Sequence, residues 1–140
     1  MSAERTLAIV KPDAFGDGNA GRILAQLEAE GFRLLAGRVI RLTRDQARAF
    51  YAVHAERPFF PSLVEFMTSG PCLAVALERE GAVAHLRRVV GATDPAEAAP
   101  ETIRARYAES KQRNAIHASD SAETARQEIS FFFSGLDLEA

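Results

Sequence analysis

The chain of 140 residues has three histidines, and one stands in an unusual run, "NAIHASDS", Asn114 to Ser121. A core imidazole is normally walled by larger apolar groups, whereas His117 is followed at once by Ala118, Ser119, Asp120 and Ser121. The run predicts a short strand ending near His117, just ahead of a helix N-terminus, where unpaired backbone N–H groups and the positive dipole end favour anions. An imidazole's ordinary pKa of about 6.5 leaves it mostly neutral and nucleophilic at neutral pH. Such a nucleophile works best when a carboxylate holds one ring nitrogen. Glu128 lies about two helical turns beyond Ser121, on the same side of the predicted helix, and can reach back toward His117 with Ser119 between them. The same residues also suit a plain helix-capping loop with an exposed histidine, and on this run alone both readings stay open.

Phosphoryl transfer demands positioned positive charge more than elaborate covalent chemistry. Lys11 directly follows an apolar strand, where a cation reaches the sheet edge. Arg87 falls on a predicted helix, and Arg104 in a long irregular stretch with Thr93 and Asn114 on either side. Each alone reads as a solvated charge, and spacing does not bring them together. Seventeen basic against nineteen acidic side chains, a formal charge of −2, give no net basic field to attract nucleic acid, so an anion must be captured locally. The single cysteine, Cys72 in apolar "CLAVAL", excludes an intramolecular disulfide, suits a reducing compartment and reads as a buried thiol. The apolar run "TLAIV" is too short for a signal peptide or a membrane span, so a cytoplasmic protein without membrane partners is expected.

One compact domain spanning 1–140 is expected to position these groups. "TLAIV" reads as a buried strand, and Ala20, Ile23, Leu24 and Leu27 as a helix stopped by Gly31. "FRLLAGRVIRL" reads as a strand with a bulge near Gly37. Thr43 with Gln46 opens a helix toward His54 through a capping box, and Phe60, Leu63, Val64 and Met67 mark another. "CLAVALE" is a strand and Ala82 to Val90 a helix. Periodicity then lapses to Asn114, apart from a helical turn at "ETIRARY"; so long a loop in a compact domain is often functional. "AIH" is a short strand. A closing helix beginning at Asp120 or Ser121 carries Ala122, Ala125, Ile129, Phe132 and Phe133. Without its extra helices the order is βαββαβ, one layer of helix on one sheet. "GDGNAG", Gly16 to Gly21, matches a dinucleotide-binding pattern. It stands too far from the strand and lacks the acidic residue about 20 positions on, so it reads as a flexible turn.

"VKPDAF", "FYAVHAERPFFPSLVEFMTSGP", "GATDP", "TIRARY" and "NAIHASDS", in this order, resemble the nucleoside diphosphate kinases over Thr6 to Phe133. The resemblance implies a ferredoxin-like α+β fold with a four-stranded sheet, homo-oligomers (tetramers or hexamers) built from dimers, and a two-step exchange. The γ-phosphate of a nucleoside triphosphate, mainly ATP, passes to His117 and then to a nucleoside diphosphate. It implies Glu128 and Ser119 as orienting groups, and Lys11 and Tyr51 as stabilisers of the moving phosphoryl group. Arg87, Thr93 and Arg104 would bind phosphates bridged by Mg²⁺, which has no dedicated protein cage. Lys11 and Asn114 would hold the ribose, and Phe59 would stack on the base. His54 and His85 read as surface residues without a role.

Two positions depart from the family. Ala118 stands where glycine is usual, which puts the backbone geometry there in question. Lys111 stands where an apolar residue usually faces the base. A non-catalytic nucleotide-binding regulatory module of the same fold is the second reading. It predicts loss of Lys11, His117 or Glu128, all of which are present, and only Ala118 favours it.

Overall fold

The computed structural model describes residues 3–138. Four strands, β1 (Glu4–Val10), β2 (Arg33–Ile40), β3 (Cys72–Arg79) and β4 (Ile116–Ala118), form one sheet in the order β2-β3-β1-β4. Every pairing is antiparallel. The helices are α1 (Pro12–Gly16), α2 (Ala20–Ala29), α3 (Arg44–Phe50), α4 (Phe60–Met67), α5 (Ala82–Val90), α6 (Ile103–Tyr107) and α7 (Ala122–Phe132). With α2 and α5 as the crossovers between strands, the arrangement is the ferredoxin-like βαββαβ fold.

The expected single layer of helix is corrected: both faces of the sheet are covered. Ala8, Val10, Val75 and Leu77 face Ile23 and Leu27 of α2 and Leu86 and Val90 of α5. On the opposite face Leu7, Ile9, Ala74 and Ala76 meet Ala47, Leu63, Met67, Ile129 and Phe132, from α3, α4 and α7. The physical reason lies in β1, whose central residues are buried on both faces, as a continuous rather than alternating apolar run requires.

Local chemistry accounts for most boundaries. Thr43 and Gln46 form the expected reciprocal cap, with Gln46 N–H donating to Thr43 Oγ1 at 3.1 Å and Thr43 N–H to Gln46 Oε1 at 2.9 Å. That helix stops at Phe50, and a separate 3₁₀ turn, Ala52–His54, follows. Ser121 is the cap of α7 and bonds reciprocally with Thr124. The β2 irregularity falls between Leu34 and Ala36 rather than at Gly37. "GDGNAG" is a turn from α1 into α2, with Gly18 at φ 78°. Among the described residues no helix is long and apolar enough to cross a membrane.

Candidate active site

The site is built around the short strand β4 and the segment that follows β1. His117 pairs with Ile9 across the sheet, so its neighbours Ile116 and Ala118 aim their carbonyls at the outer edge, where no further strand exists. Arginines occupy that edge. Arg104 Nη2 donates to Ile116 O at 2.8 Å, and Arg87 Nη1 to Ala118 O at 3.3 Å. The other Arg104 arm, Nη1, donates to Gly91 O at 3.1 Å. Two side chains distant in sequence thus meet because β4 needs donors along its free edge.

Gly91 helps set this anchor. Its φ is 91°, and a Cβ there would lie 2.6 Å from Thr102 Cβ and Oγ1. Gly91→Ala is expected to lower stability by about 2–4 kcal/mol, from left-handed strain plus overpacking. It should also loosen the Arg104 guanidinium by disturbing the carbonyl to which it donates. Denaturant unfolding of the variant, with hydrogen exchange of the guanidinium followed by NMR, checks both effects.

Ala115 precedes β4 and is the one described non-glycine residue with positive φ, at 73°. Ile116 N–H donates to Asn114 O at 2.8 Å across it, a γ-turn that costs a side-chain-bearing residue about 1–2 kcal/mol. The segment after β1 holds it. Asp13 Oδ2 accepts the Ala115 N–H at 3.0 Å, and Lys11 N–H donates to Ala115 O at 2.8 Å. The turn delivers Asn114, whose Oδ1 accepts from Lys11 Nζ at 2.8 Å while its Nδ2 donates to Thr93 O at 3.3 Å. The α1 helix was missed from sequence; Pro12 at its start and the buried Asp13 tie "KPD" to the site.

His117 Nε2–H donates to Glu128 Oε1 at 2.8 Å, and Ser119 Oγ–H donates to the same oxygen at 2.6 Å. Glu128 therefore does reach back from α7, with Ser119 fully buried beside it. Among the described residues no hydrogen bond reaches His117 Nδ1, so that nitrogen keeps its lone pair for other chemistry.

His117 opens into a cavity of about 690 Å³ walled also by Tyr51, Arg87, Thr93, Arg104 and Glu128. Lys11 and Asn114 are buried as a bonded pair and do not line it. Phe59 lies outside this lining, 47% exposed. It is linked to the cavity by His54, whose ring is 5.4 Å from that of Phe59. His54 is corrected accordingly: it lines the cavity and stacks on Tyr51 at 6.4 Å. His85 is corrected too. It is half-buried, bonded to Glu30 Oε1 at 2.9 Å and to Arg88 Nη2 at 3.1 Å, and so joins α5 to the end of α2.

The electrostatics fit an anion. Burial and, after it, the neighbouring Arg104 lower the Lys11 ammonium from 10.5 to about 8, against an opposing pull from Asp13. Burial and the neighbouring Arg87 bring Arg104 down to about 10. Like charges held close enough to perturb one another favour a polyanion between them. The Tyr51 hydroxyl is buried without a partner, and burial and Glu128 both raise its pKa, so it stays protonated as a donor.

The sequence matches the model of the nucleoside diphosphate kinase family over residues 4–138. This chain belongs to that family. It is 54% identical over 138 residues to the nucleoside diphosphate kinase of Acidiphilium cryptum, covering 99% of each chain. It is 55% identical to that of Dinoroseobacter shibae, with the same coverage. The solved nucleoside diphosphate kinase of Aquifex aeolicus superposes with a TM-score of 0.96 at 51% identity, covering 98% of this chain and 99% of that one. That of Halobacterium salinarum, in complex with CDP, gives 0.95 at 38% identity, covering 99% and 93%. As a nucleoside diphosphate kinase the chain is a phosphotransferase acting on nucleotides, and nothing favours the non-catalytic alternative.

The concern over Ala118 in this kinase is resolved by its backbone. It lies in β4 without positive φ, and the residue is 4% exposed and belongs to the apolar cluster under one face of the sheet. Lys111 is exposed, next to Gln112, whose Nε2 donates to Ser62 Oγ on α4 at 2.9 Å. Phe50, Thr124, Gln127 and Phe131 are among the cavity residues without a role in the sequence analysis. Thr124 gave no signal because its reciprocal cap with Ser121 departs from the usual pattern, which has Glu or Gln at that position. The apolar Phe50 and Phe131 gave no signal that distinguishes a wall from a core.

Proposed function

We propose that the chain works as one nucleoside diphosphate kinase domain in which His117 carries the phosphoryl group. The carrying observation is the ring's asymmetry: Nε2 is tied to Glu128 while Nδ1 stays free beside a cation-lined cavity. In the first half-reaction the Nδ1 lone pair attacks the γ-phosphorus of a nucleoside triphosphate, mainly ATP. The bond to the β–γ bridging oxygen breaks, and the diphosphate leaves. In the second, a terminal oxygen of another nucleoside diphosphate attacks that phosphorus, the P–N bond breaks, and Nδ1 recovers its lone pair. Glu128, steadied by Ser119, fixes the tautomer and absorbs positive charge growing on the ring. Arg87, Arg104 and Thr93 bind the phosphates, while Lys11 and the Tyr51 hydroxyl answer charge on the moving group. Lys11 and Asn114, bonded to each other outside the cavity lining, turn that bond toward the ribose hydroxyls when nucleotide enters, and Phe59 stacks on the base, which suits loose base selectivity.

Mg²⁺ is the implied cofactor. Among the described residues no three His, Cys, Asp or Glu side chains cluster around a metal position. Glu128 is committed to His117 and Ser119, and Asp120 Oδ1 accepts from Thr124 Oγ1 at 2.7 Å. This donor set fits a cation that would be held by phosphate oxygens and water, with the Asp120 carboxylate on the same cavity wall. When bound, the ion would neutralise phosphate charge.

A homo-oligomer built from dimers, tetramer or hexamer, belongs to the same reading. β2 supports it: a free sheet edge with Val39 59% and Leu34 37% exposed. Light scattering would give the mass. The lone buried Cys72, its thiol raised by burial to about 11, suits the reducing setting of a cytoplasmic enzyme. The acidic balance offers nothing to nucleic acid.

The test is a pulse and chase. Protein incubated with γ-labelled ATP and Mg²⁺ should acquire acid-labile, base-stable label mapping to His117, which GDP then removes as labelled GTP. Label that maps elsewhere, or never leaves, would overturn the reading. Glu128→Ala should retain transfer at a rate about 10- to 100-fold lower, the worth of a hydrogen bond to a charged group. Steady-state kinetics at saturating nucleotide would measure it.

A further inference from the structure

Glu128 controls one atom of the His117 ring, and a single hydrogen bond does not fix a plane: the imidazole can still pivot through coupled rotation about its two side-chain bonds. What limits that pivot is aromatic. Phe50, the last residue of α3, has its ring centroid 5.3 Å from that of His117 with the planes at 72°. Phe50 is held in turn by Phe131 at 5.3 Å and 70°, by Phe132 at 5.3 Å, and by Tyr51 at 4.9 Å and 85°. Tyr51 adds a second, longer edge-on contact to His117, at 6.0 Å and 87°. Edge-to-face pairs at such separations favour one mutual orientation because the rim of one ring is positive and the face of the other negative. Phe50 is only half-buried and lines the cavity, so it does not serve the core alone.

We propose that Phe50 is a positioning residue for phosphoryl transfer. Its ring, braced by Phe131 and Phe132, holds the imidazole plane so that Nδ1 is aligned with the incoming phosphorus. The inference rests on the reading of His117 as phosphoryl carrier and adds a residue that acts through the imidazole ring. A group acting this way changes how often the ring is aligned, and leaves nucleotide affinity alone.

Rapid-quench phosphorylation by ATP and Mg²⁺, run across ATP concentrations, separates the two quantities, and ³¹P NMR of the denatured phosphoprotein identifies which nitrogen carries phosphate. Phe50→Leu keeps apolar bulk and loses the ring. It should slow labelling at saturating ATP roughly three- to tenfold, the worth of one aromatic pair, with unchanged half-saturation and some Nε2-phosphohistidine beside the Nδ1 isomer. Phe50→Tyr keeps the ring and should restore both rate and isomer. Phe131→Leu removes only the brace and should give a smaller loss of the same kind, which preserves the test should Phe50→Leu fold poorly. The proposal is overturned by a wild-type rate with only the Nδ1 isomer in both leucine variants. It also falls if the change is in half-saturation rather than rate, or if Phe50→Tyr is as slow as Phe50→Leu. A wild-type protein that takes no label on His117 would instead remove the underlying reading, a result needing no substitution to see.

Discussion

His117→Ala should leave a folded protein that transfers no measurable phosphate. The loss expected is at least about 10⁴-fold, the scale on which removing an enzyme's nucleophile acts. The fold should survive because the side chain faces a cavity, and β4 is held through backbone groups. Its outer carbonyls stay with Arg87 and Arg104, and the γ-turn before it stays with Asp13 and Lys11. The change leaves Glu128 Oε1 bonded to Ser119, so no buried carboxylate is orphaned, and any loss of stability should stay near or below about 1 kcal/mol. Nucleotide affinity should hardly move, since the phosphate-binding cations are anchored elsewhere. A thermal melt, an ADP titration and a coupled assay on one preparation separate these outcomes. Residual turnover above about one part in a thousand would mean that another group carries the phosphoryl.

The contact of His117 with Glu128 and Ser119 was legible in sequence for a definite reason. His117, Ser119 and Glu128 lie within one strand–turn–helix unit, where helical spacing dictates which side chains can return to the strand. The cations were not legible in the same way. Arg87 and Arg104 converge because Ile116 and Ala118 present carbonyls along an edge that no strand covers, a property of the assembled sheet. The fold shows the same division. The capping box at Thr43 announced one helix start and Asp120 or Ser121 marked another, while the second helical layer was hidden because helix spacing does not say which sheet face a helix covers. The strain at Ala115 is invisible in sequence because alanine carries no mark of positive φ; only Asp13 and Lys11, a hundred residues away in the chain, show why it is tolerated. The family resemblance named the arginines, and the geometry gives the physical cause of their meeting.

Lys11 shows what holding a cation in such a place does to the protein, and Lys11→Met isolates it. Transfer should fall about 10²- to 10³-fold, the usual consequence of removing a positioned charge from the reacting group. The pH dependence gives a sharper signature. The ammonium sits at about 8 in the fold against an ordinary 10.5, so wild-type kcat/KM should fall tenfold per pH unit above about 8, and Lys11→Met should lack that limb. A bound polyphosphate favours the ammonium form, so the limb in kcat should lie at higher pH than the limb in kcat/KM. Stability moves in the complementary sense. Between pH 8 and 10.5 the unfolded chain holds a proton on this amine that the fold has released, so wild-type stability rises with pH across this window. Below it both states are protonated and the fold carries the whole penalty, of order 3 kcal/mol. A thioether in its place has no proton to lose and carries no such penalty. The methionine variant's unfolding free energy minus that of wild type should therefore shrink by up to about 3 kcal/mol from about pH 7 to about 10.5. Its absolute value also includes the lost bond to Asn114. Urea unfolding of both proteins across this range measures the difference directly, and parallel stability curves would show that Lys11 is not held against its charge. A fold that keeps a costly ammonium at its site is less stable than it could be, in return for a charge available when phosphate arrives.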